Sequence, residues 1–218
     1  EYRMKIAIDG TAASGKGTLS ENLSQELKLP RLDTGLLYRK LAFVYIKSLK
    51  LTSIKNIIDN SILKSILNDF DLNDLESEAL KLDLYGNFAS RIGKLDFVRK
   101  KLKIIQIEYV ENMIKKKGGC ILDGRDIGTE ILPNADFKFY IDAPIKTRAK
   151  RRFKQLYSTN KSIEFKNILL DLKKRDINDK SRKNSPLILS KDSILIDTEL
   201  LNPQQVLRKA LYYIKKNK

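Results

Sequence analysis

The residues best suited to chemistry lie in a glycine-rich segment, residues 10–16, which has the spacing G-x-x-x-x-G-K. Gly10 and Gly15 allow the backbone to wrap closely round an anion, and the N–H groups of such a loop converge on that anion. Lys16 adds a positive charge that can reach the β- and γ-phosphates of a nucleotide. An apolar run precedes the segment and a helical pattern follows it, which is the setting that a phosphate-binding loop requires.

The hydroxyl group of this loop comes one position later than in the general pattern, because Gly17 follows the lysine and Thr18 comes next. This G-K-G-T variant is frequent in nucleoside monophosphate kinases. The predicted ATP-binding loop comprises Gly10, Thr11, Ala12, Ala13, Ser14, Gly15, Lys16, Gly17 and Thr18.

Two carboxylates are candidates for holding the magnesium ion that accompanies a nucleoside triphosphate, since Mg²⁺ prefers oxygen ligands. Asp123 follows a short apolar run and is expected at the end of a strand, where phosphate-loop enzymes place such a ligand. Asp33 is the alternative carboxylate. We predict a metal site made by Thr18 and Asp123.

Arginines are scarce, and several of them stand beside Gly, Tyr or Asp at the ends of predicted elements, as in Tyr38-Arg39, Gly124-Arg125-Asp126 and the segment 174–182. Phosphoryl transfer between two anionic substrates depends on fixed cations more than on covalent chemistry by the protein. These arginines are suited to that task. The alternative for each is an exposed surface arginine.

The elements that must position these residues alternate between strand and helix patterns. Strands are predicted at 5–8, 120–122, 137–141 and 193–196, and helices at 16–27, 36–49, 51–68, 97–116, 145–157, 162–178 and 203–216. Leu80, Leu82 and Leu84 alternate with charged residues, which predicts a further strand. Alternating strands and helices predict an α/β fold, with a parallel β-sheet flanked by helices on both faces.

Composition excludes several kinds of chemistry. The 218 residues include no histidine, which excludes His-based catalysis and His-ligated zinc, and Cys120 is the single cysteine, which excludes a disulfide within the chain. No apolar run reaches the ~18 residues of a membrane span, and three apolar residues before Asp9 are too few for a signal peptide. We therefore expect a cytoplasmic protein without a membrane partner.

The net charge of +16 is concentrated in residues 143–218, which contain 20 Lys or Arg and 7 Asp or Glu. A basic chain favours anionic partners, such as nucleic acid or phosphorylated small molecules. The alternative is that the charge reflects a lysine-rich composition without a specific partner.

Longer motifs make the sequence resemble bacterial cytidylate kinases, which are P-loop nucleoside monophosphate kinases. The motifs are Asp33-Thr34-Gly35 with Tyr38-Arg39, the run D-G-R-D-I-G-T at 123–129, and K-R-D-I-N-D-K-S-R at 174–182, followed by S-P-L at 185–187. The order and spacing of these motifs resemble those of that family from about residue 4 to residue 216. Thr11 departs from the family, which often has Pro there.

The resemblance implies a single P-loop kinase chain with a core at about 4–49, 91–145 and 183–218. It implies a monophosphate-binding insert at about 50–90 and a mobile lid at about 146–182. The implied reaction is ATP with CMP or dCMP giving ADP with CDP or dCDP, with Mg²⁺, in pyrimidine nucleotide metabolism. The implied partners are these small nucleotides rather than nucleic acid, and the implied assembly is a monomer.

The resemblance also implies roles for single residues. The expected substrate-binding residues are Thr34, Arg39, Ser90, Arg99, Arg125, Asp126, Arg175, Asp179 and Arg182. Among them, Arg39, Arg125 and Arg182 would grip the CMP phosphate. Ser90, Arg99 and Asp126 would read cytosine, and Arg175 and Asp179 would hold the sugar. Arg148, Arg151 and Arg152 would close over ATP, and Lys16, Arg125 and Arg182 would be catalytic.

Two alternative functions remain open at this point. One is another small-molecule P-loop kinase that acts on UMP, AMP or shikimate. The other is a basic nucleic-acid-binding protein, although the chain contains no RRM, KH or zinc-binding signature.

Overall fold

A computed structural model describes residues 3–49, 58–158 and 160–216. Within these residues, five strands form one sheet in the order β2-β3-β1-β4-β5. The strands are β1 (Met4–Gly10), β2 (Arg31–Asp33), β3 (Gly119–Gly124), β4 (Phe137–Asp142) and β5 (Ile194–Asp197). β1 pairs in parallel with β3 and β4, and β4 pairs in parallel with β5. The carboxyl end of β1 therefore lies between those of β3 and β4.

Most helices lie where the sequence patterns predict them, but the helix Asp83–Ile92 lies where no helix is predicted. The helices are α1 (Lys16–Leu27), α2 (Thr34–Ser48), α3 (Asn60–Asn68), α4 (Asp83–Ile92), α5 (Asp96–Lys117), α6 (Ile145–Tyr157), α7 (Phe165–Ser181) and α8 (Pro203–Lys216). A short 3₁₀ helix spans Glu78–Lys81, and a single π-helical turn spans Ile127–Ile131. The predicted α/β fold with a parallel sheet flanked by helices is confirmed.

The core forms where apolar strand residues meet the apolar sides of helices. Ile6 and Ile8 of β1 are fully buried and belong to one cluster with Leu19 and Leu23 of α1. Four residues of α8 complete this cluster: Val206, Leu207, Ala210 and Ile214. Burial of this kind stabilises the sheet by roughly 25 cal/mol for each Å² of apolar surface removed from water. It also fixes the strand that precedes the phosphate loop.

The start of α8 shows how the sequence sets a local boundary. The Asn202 side chain accepts a hydrogen bond from the backbone N–H of Gln205 at 2.9 Å, and the Gln205 side chain accepts one from the N–H of Asn202 at 2.8 Å. This reciprocal capping box occupies N–H groups that a helix leaves without partners, and Pro203 needs none. The predicted start of the last helix is confirmed.

The chain divides into two compact units. The first consists of Glu1–Leu32 and Val110–Lys218, and the second of Asp33–Tyr109. The predicted insert at 50–90 falls within the second unit, and the predicted lid at 146–182 falls within the first. The first part of the predicted helix 51–68 lies outside the described residues, and its remainder is α3.

One predicted strand is wrong. Leu80 lies in the 3₁₀ helix Glu78–Lys81, Leu82 follows that helix, and Leu84 lies in α4. Leu80 is 2% exposed, whereas Leu82 is 56% and Leu84 38% exposed, so the three side chains do not share a buried face. A short alternating run forms a strand only where another strand can pair with it, and the sequence pattern does not contain that information.

No helix within the described ranges is both long and apolar enough to span a bilayer.

Candidate active site

The glycine-rich loop connects β1 to α1, and Lys16 is the first residue of that helix. A Cβ atom at position 10 would lie 2.1 Å from the carbonyl oxygen of Ile141 in β4, so only glycine fits there. Gly15 has a φ of 98°, in the left-handed region that glycine adopts without strain. Backbone N–H groups of a loop at the N-terminus of a helix can hold an anion, and ATP binding by residues 10–18 remains a prediction.

Side chains from elsewhere in the first unit hold the loop. The Thr11 hydroxyl donates to Asp142 at 2.6 Å, and the Thr198 hydroxyl donates to the carbonyl of Ser14 at 2.8 Å. Thr11 therefore uses its hydroxyl to attach the loop to the end of β4.

Arg148 attaches the phosphate loop to α6 and α7. It is 4% exposed and donates to the carbonyl of Ala12 at 3.1 Å, and also to the carbonyl of Ala143 at 2.7 Å. Its two terminal nitrogens donate to the carboxylate of Asp176 in α7 at 3.1 and 2.5 Å. This two-point pair links α6, α7 and the phosphate loop. The predicted contact of Arg148 with ATP remains a prediction.

A pocket of about 140 Å³ opens beside the loop. Its lining consists of Ser14, Gly15, Thr18, Leu19, Arg151, Thr198, Leu201, Pro203 and Val206. Arg151 donates to the hydroxyl of Thr198 at 2.9 Å and also to its carbonyl oxygen. Arg152 lies outside this lining and donates to the side chain of Gln155 at 3.0 Å. The structure thus brings Arg151 to the loop, and the apolar side of the pocket comes from the segment after β5.

The predicted metal ligands are a threonine of α1 and an aspartate at the end of β3. Thr18 is exposed and lines the pocket, and Asp123 is 1% exposed at the end of β3. The Asp123 carboxylate lies 4.0 Å from the place where a Cβ atom on Gly17 would stand. A buried carboxylate and a hydroxyl beside a phosphate loop are the oxygen donors that Mg²⁺ takes along with substrate phosphates. These residues therefore fit the ion.

Asp33, the alternative ligand, has a structural task in the second unit. It precedes α2, and its carboxylate accepts a hydrogen bond from the backbone N–H of Gly35 at 2.9 Å. This is a helix N-cap.

Charged residues predicted to bind the acceptor form a cluster in the first unit. Arg125 Nε donates to the carboxylate of Asp179 at 2.8 Å. Arg182 lies 3.7 Å from the carboxylate of Asp126 and 4.0 Å from that of Asp179. Arg175 lies on α7 one turn before Asp179. The structure therefore brings together residues that are up to 57 positions apart in the sequence.

The loop after α7 supports this cluster. Arg182 Nε donates to the carbonyl of Ser185 at 2.5 Å, and the N–H of Leu187 donates to the carbonyl of Asp179 at 2.7 Å. The S-P-L segment thus folds back on the end of α7 and holds its arginine.

The second unit holds four more predicted substrate residues. Arg39, on α2, donates to the carbonyls of Leu80 and Leu82 at 2.8 and 3.0 Å. A Cβ atom on Gly86 of α4 would lie 2.6 Å from this guanidinium group, so the glycine provides the space for it. Thr34 is buried at the start of α2.

Arg99 and Ser90 lie further along the second unit. Arg99 is 9% exposed on α5, donates to the carbonyl of Gly93 at 3.2 Å and lies 5.7 Å from the centre of the Tyr38 ring. Ser90 lies partly buried on α4. The structure therefore places Arg99 beside Tyr38 of the Y-R motif and Arg39 beside α4, each held by backbone carbonyls.

Asp9 is a charged residue of the site that the sequence motifs did not identify. It lies in β1 directly before Gly10 and is 6% exposed. Its carboxylate accepts hydrogen bonds from the backbone N–H groups of Ile127 at 2.8 Å and Gly128 at 2.7 Å. Burial raises the pKa of Asp9 to about 6, and the two backbone hydrogen bonds partly oppose this rise. A lone aspartate at the end of an apolar run gives no sequence signal for such a role.

The raised pKa of Asp9 predicts how stability responds to pH. Its pKa is about 6 in the folded chain against an ordinary value of 3.8, so the folded state binds the proton more tightly. Lowering the pH from 8 to 5 should therefore stabilise the wild type relative to the Asp9→Asn variant, by about 1 kcal/mol. Urea unfolding of both proteins at pH 8 and pH 5 measures this difference. A difference that does not change with pH would contradict the prediction.

Comparison with known proteins settles the family. The cytidylate kinase family model matches residues 6–216. A cytidylate kinase of Bartonella bacilliformis is 40% identical over 200 residues, which cover 92% of this chain and 89% of that protein. One of Rickettsia rickettsii is 37% identical over 96% of this chain and 91% of its own length. The chain belongs to the cytidylate kinase family. The family predicted from the sequence motifs is confirmed.

Solved structures show the same fold at much lower sequence identity. The TT1252 protein of Thermus thermophilus has a TM-score of 0.52 at 14% identity and covers 99% of this cytidylate kinase family chain, which in turn covers 98% of that protein. A protein of Eubacterium ventriosum has a TM-score of 0.53 at 13% identity, covering 98% of this chain and 99% of its own. These likenesses support the fold alone.

Sequence reasoning missed several residues of this cytidylate kinase family site. They are Asp9, Asp142, Asp176, Thr198, Leu201, Pro203 and Val206. Each lies at the end of a strand, on α7 or after β5. Asp176 belongs to the motif at 174–182 and Pro203 begins the predicted last helix, but the sequence patterns predict no site role for either, and the other five belong to no motif. Their proximity to the phosphate loop follows from the strand order.

Proposed function

We propose that this chain transfers the γ-phosphate of ATP to CMP or dCMP, giving ADP and CDP or dCDP. The observation that carries the proposal is the family match over residues 6–216, which includes the phosphate loop and the arginine cluster. A function as a nucleic-acid-binding protein has no comparable support, because its only indication is net charge. The reaction belongs to pyrimidine nucleotide metabolism, and we place the chain in the cytoplasm as a monomer whose partners are nucleotides.

ATP binds in this proposal through its phosphates and its base. Residues 10–18 enclose the phosphates, with Lys16 reaching the β- and γ-phosphates. The pocket of about 140 Å³ receives the base between the Arg151 guanidinium group and the apolar side chains of Leu201 and Pro203. A guanidinium plane stacks favourably on an aromatic ring, and apolar walls favour the flat faces of the base. The nearby arginines proposed to assist in holding ATP are Arg148 and Arg152.

CMP binding is assigned to the charged and polar residues that the sequence motifs identify. Arg39, Arg125 and Arg182 bind the CMP phosphate. Arg175 and Asp179 hold the sugar hydroxyl groups. The cytosine edge and the remaining nucleotide contacts belong to Thr34, Ser90, Arg99 and Asp126. Fixed polar groups discriminate bases strongly, because a wrong base leaves donors or acceptors without partners.

The chemical step requires charge stabilisation rather than a general base. A CMP phosphate oxygen is already ionised near pH 7, so it can attack the γ-phosphorus of ATP in line. Lys16, Arg125 and Arg182 stabilise the charge on the phosphoryl group as it moves. Thr18 and Asp123 would hold a magnesium ion, which would supply further positive charge to the phosphates of ATP. The absence of histidine from the chain is compatible with this chemistry.

The proposed function is tested by a coupled ADP-release assay with ATP and magnesium. CMP, dCMP, UMP, AMP and shikimate are offered in parallel as acceptors. We expect fast turnover with CMP and dCMP, slow turnover with UMP and none with AMP or shikimate. Faster turnover with AMP or shikimate would overturn the acceptor assignment but retain the kinase fold. No turnover with any acceptor, by a folded protein that binds ATP, would overturn the function.

Replacing Arg151 tests the proposed base pocket. Arg151→Ala removes one wall of the pocket and should raise the KM for ATP about tenfold, with the KM for CMP within about twofold of the wild type. Steady-state kinetics with each substrate varied in turn measures both constants. Lys150→Ala is the matched control, because Lys150 is exposed on the same turn of α6. Equal changes in both KM values would contradict the assignment.

A further inference from the structure

The side chain of Asp9 joins two segments that the proposed reaction uses. Asp9 comes directly before Gly10, where the phosphate loop begins. Its carboxylate accepts the N–H groups of Ile127 and Gly128 at 2.8 and 2.7 Å. These are the first two residues of the π-helical turn Ile127–Ile131, and the first N–H groups of a helical turn have no partners within it. Asp9 therefore acts as an N-terminal cap supplied by a distant strand.

The backbone of Asp9 holds the same segment at its other end. Asp9 lies opposite Gly124 in the register of the parallel β1–β3 pair. Asp9 thus fixes the segment at both ends. Its backbone pairs at residue 124, and its side chain binds the N–H groups of residues 127 and 128. Arg125 and Asp126 lie between these fixed points. The directions of the Arg125 and Asp126 side chains therefore depend on the strand pairing at residue 124 and on the hydrogen bonds at residues 127 and 128.

We infer that Asp9 is a positioning residue that holds Arg125 and Asp126 in the arrangement required for the acceptor nucleotide. The inference rests on the proposed function, since it names the residue that sets the geometry of the arginine cluster. Arg125 in turn donates to Asp179 at 2.8 Å, and Arg182 lies 3.7 Å from Asp126. A shift of the segment would therefore displace Arg125 from Asp179 and Asp126 from Arg182.

Burial of the Asp9 carboxylate costs folding free energy, which its two backbone hydrogen bonds offset only in part. Burial raises the pKa of Asp9 to about 6, so the ionised group opposes folding near neutral pH. The charged groups on the attached segment are Arg125, which favours the ionised form, and Asp126, which disfavours it. Tyr140 lies opposite Asp9 on β4, and its pKa is raised to about 12 by burial, so it stays neutral between pH 5 and 8.

The first experiment is the Asp9→Asn variant. Asn keeps the size of the side chain but has one acceptor oxygen, so one N–H group must face an NH₂ group. We expect the KM for CMP to rise about tenfold or more, while the KM for ATP stays within about twofold. Asp136→Asn is the matched control, because Asp136 accepts the N–H of Lys5 at 2.6 Å at the opposite end of β1. The control should retain both KM values.

A pH profile separates positioning from general support of the fold. The ratio of wild-type to Asp9→Asn kcat/KM for CMP should be largest at pH 8 and fall towards one below pH 6, where the wild-type carboxyl becomes protonated. The phosphate of CMP also titrates near pH 6, but this effect cancels in the ratio. A ratio that stays constant, or equal rises in the KM for both substrates, would overturn the inference.

A second variant covers the case in which Asp9→Asn does not fold. A Cβ atom on Gly128 would lie 3.3 Å from the Asp9 carboxylate and 3.2 Å from Lys138 Cδ. Gly128→Ala therefore crowds the hydrogen bond between the Gly128 N–H and Asp9 without changing Asp9. It should raise the KM for CMP severalfold and leave the KM for ATP unchanged. Failure of the wild type to phosphorylate CMP would overturn the proposed function. A fully active wild type with an unaffected Asp9→Asn or Gly128→Ala variant would overturn only the role of Asp9.

Discussion

Lys16→Met is expected to lower kcat about 10³-fold and to leave the fold intact. Lys16 is the first residue of α1 and follows Gly15, whose left-handed backbone directs the loop into the helix. Its ammonium group supplies charge to the phosphates as the phosphoryl group moves, and a removed electrostatic contact of this kind costs about 10²–10³ in rate. Methionine keeps a flexible side chain of similar length and also favours the helix.

Single-turnover measurements of ADP formation at saturating ATP and CMP give the size of this effect, and circular dichroism reports the fold. Lys28→Met is the matched control, since Lys28 follows the last residue of the same helix and lies away from the loop in the sequence. We expect the control to retain the wild-type rate. A near-normal rate for Lys16→Met would remove Lys16 from the proposed mechanism.

Arg182→Ala is expected to have the next largest effect, a rise of about 100-fold in the KM for CMP. Arg182 lies beside Asp126 and Asp179, at 3.7 and 4.0 Å, where the proposed CMP phosphate would meet a guanidinium group. Loss of a hydrogen bond to a charged group costs about 1.5–3 kcal/mol, which corresponds to this range of affinity. The KM for ATP should change by less than about threefold.

The Arg182→Lys variant separates the effect of the charge from that of the guanidinium geometry. Lysine keeps the charge but lacks the planar two-point contact, so its KM for CMP should fall between those of the wild type and the alanine variant. Lys180→Ala, two residues earlier on the exposed side of α7, is the control and should behave as the wild type. Equal losses of ATP and CMP binding in Arg182→Ala would contradict the assignment to the acceptor site.

The contacts of Arg148 could not be predicted from the sequence. The sequence resemblance places it among arginines that close over ATP. The structure shows a guanidinium group that is 4% exposed and bonded to Ala12, Ala143 and Asp176. Its partners lie between 5 and 136 positions away along the chain, and periodicity cannot reveal such distant pairings.

The sequence alone determined the parts of this protein that depend on local pattern. The phosphate loop at 10–18, most of the strand and helix positions, the cap at Asn202 and the family could all be predicted, because each depends on residues close together in the chain or on contiguous motifs. The error at Leu80, Leu82 and Leu84 has the same origin. Their local alternation favoured a strand, but the formation of a strand depends on a partner.

Only the tertiary structure decided which distant residues complete the site. Asp9 reaches Ile127 and Gly128 over 118 and 119 positions, and Thr198 reaches Ser14 over 184. These contacts exist because β1 lies between β3 and β4, with β5 beside β4, so that the ends of the strands meet at one edge. Strand order is set by the burial of the whole sheet, a sum over many weak contacts that no single segment of the sequence carries.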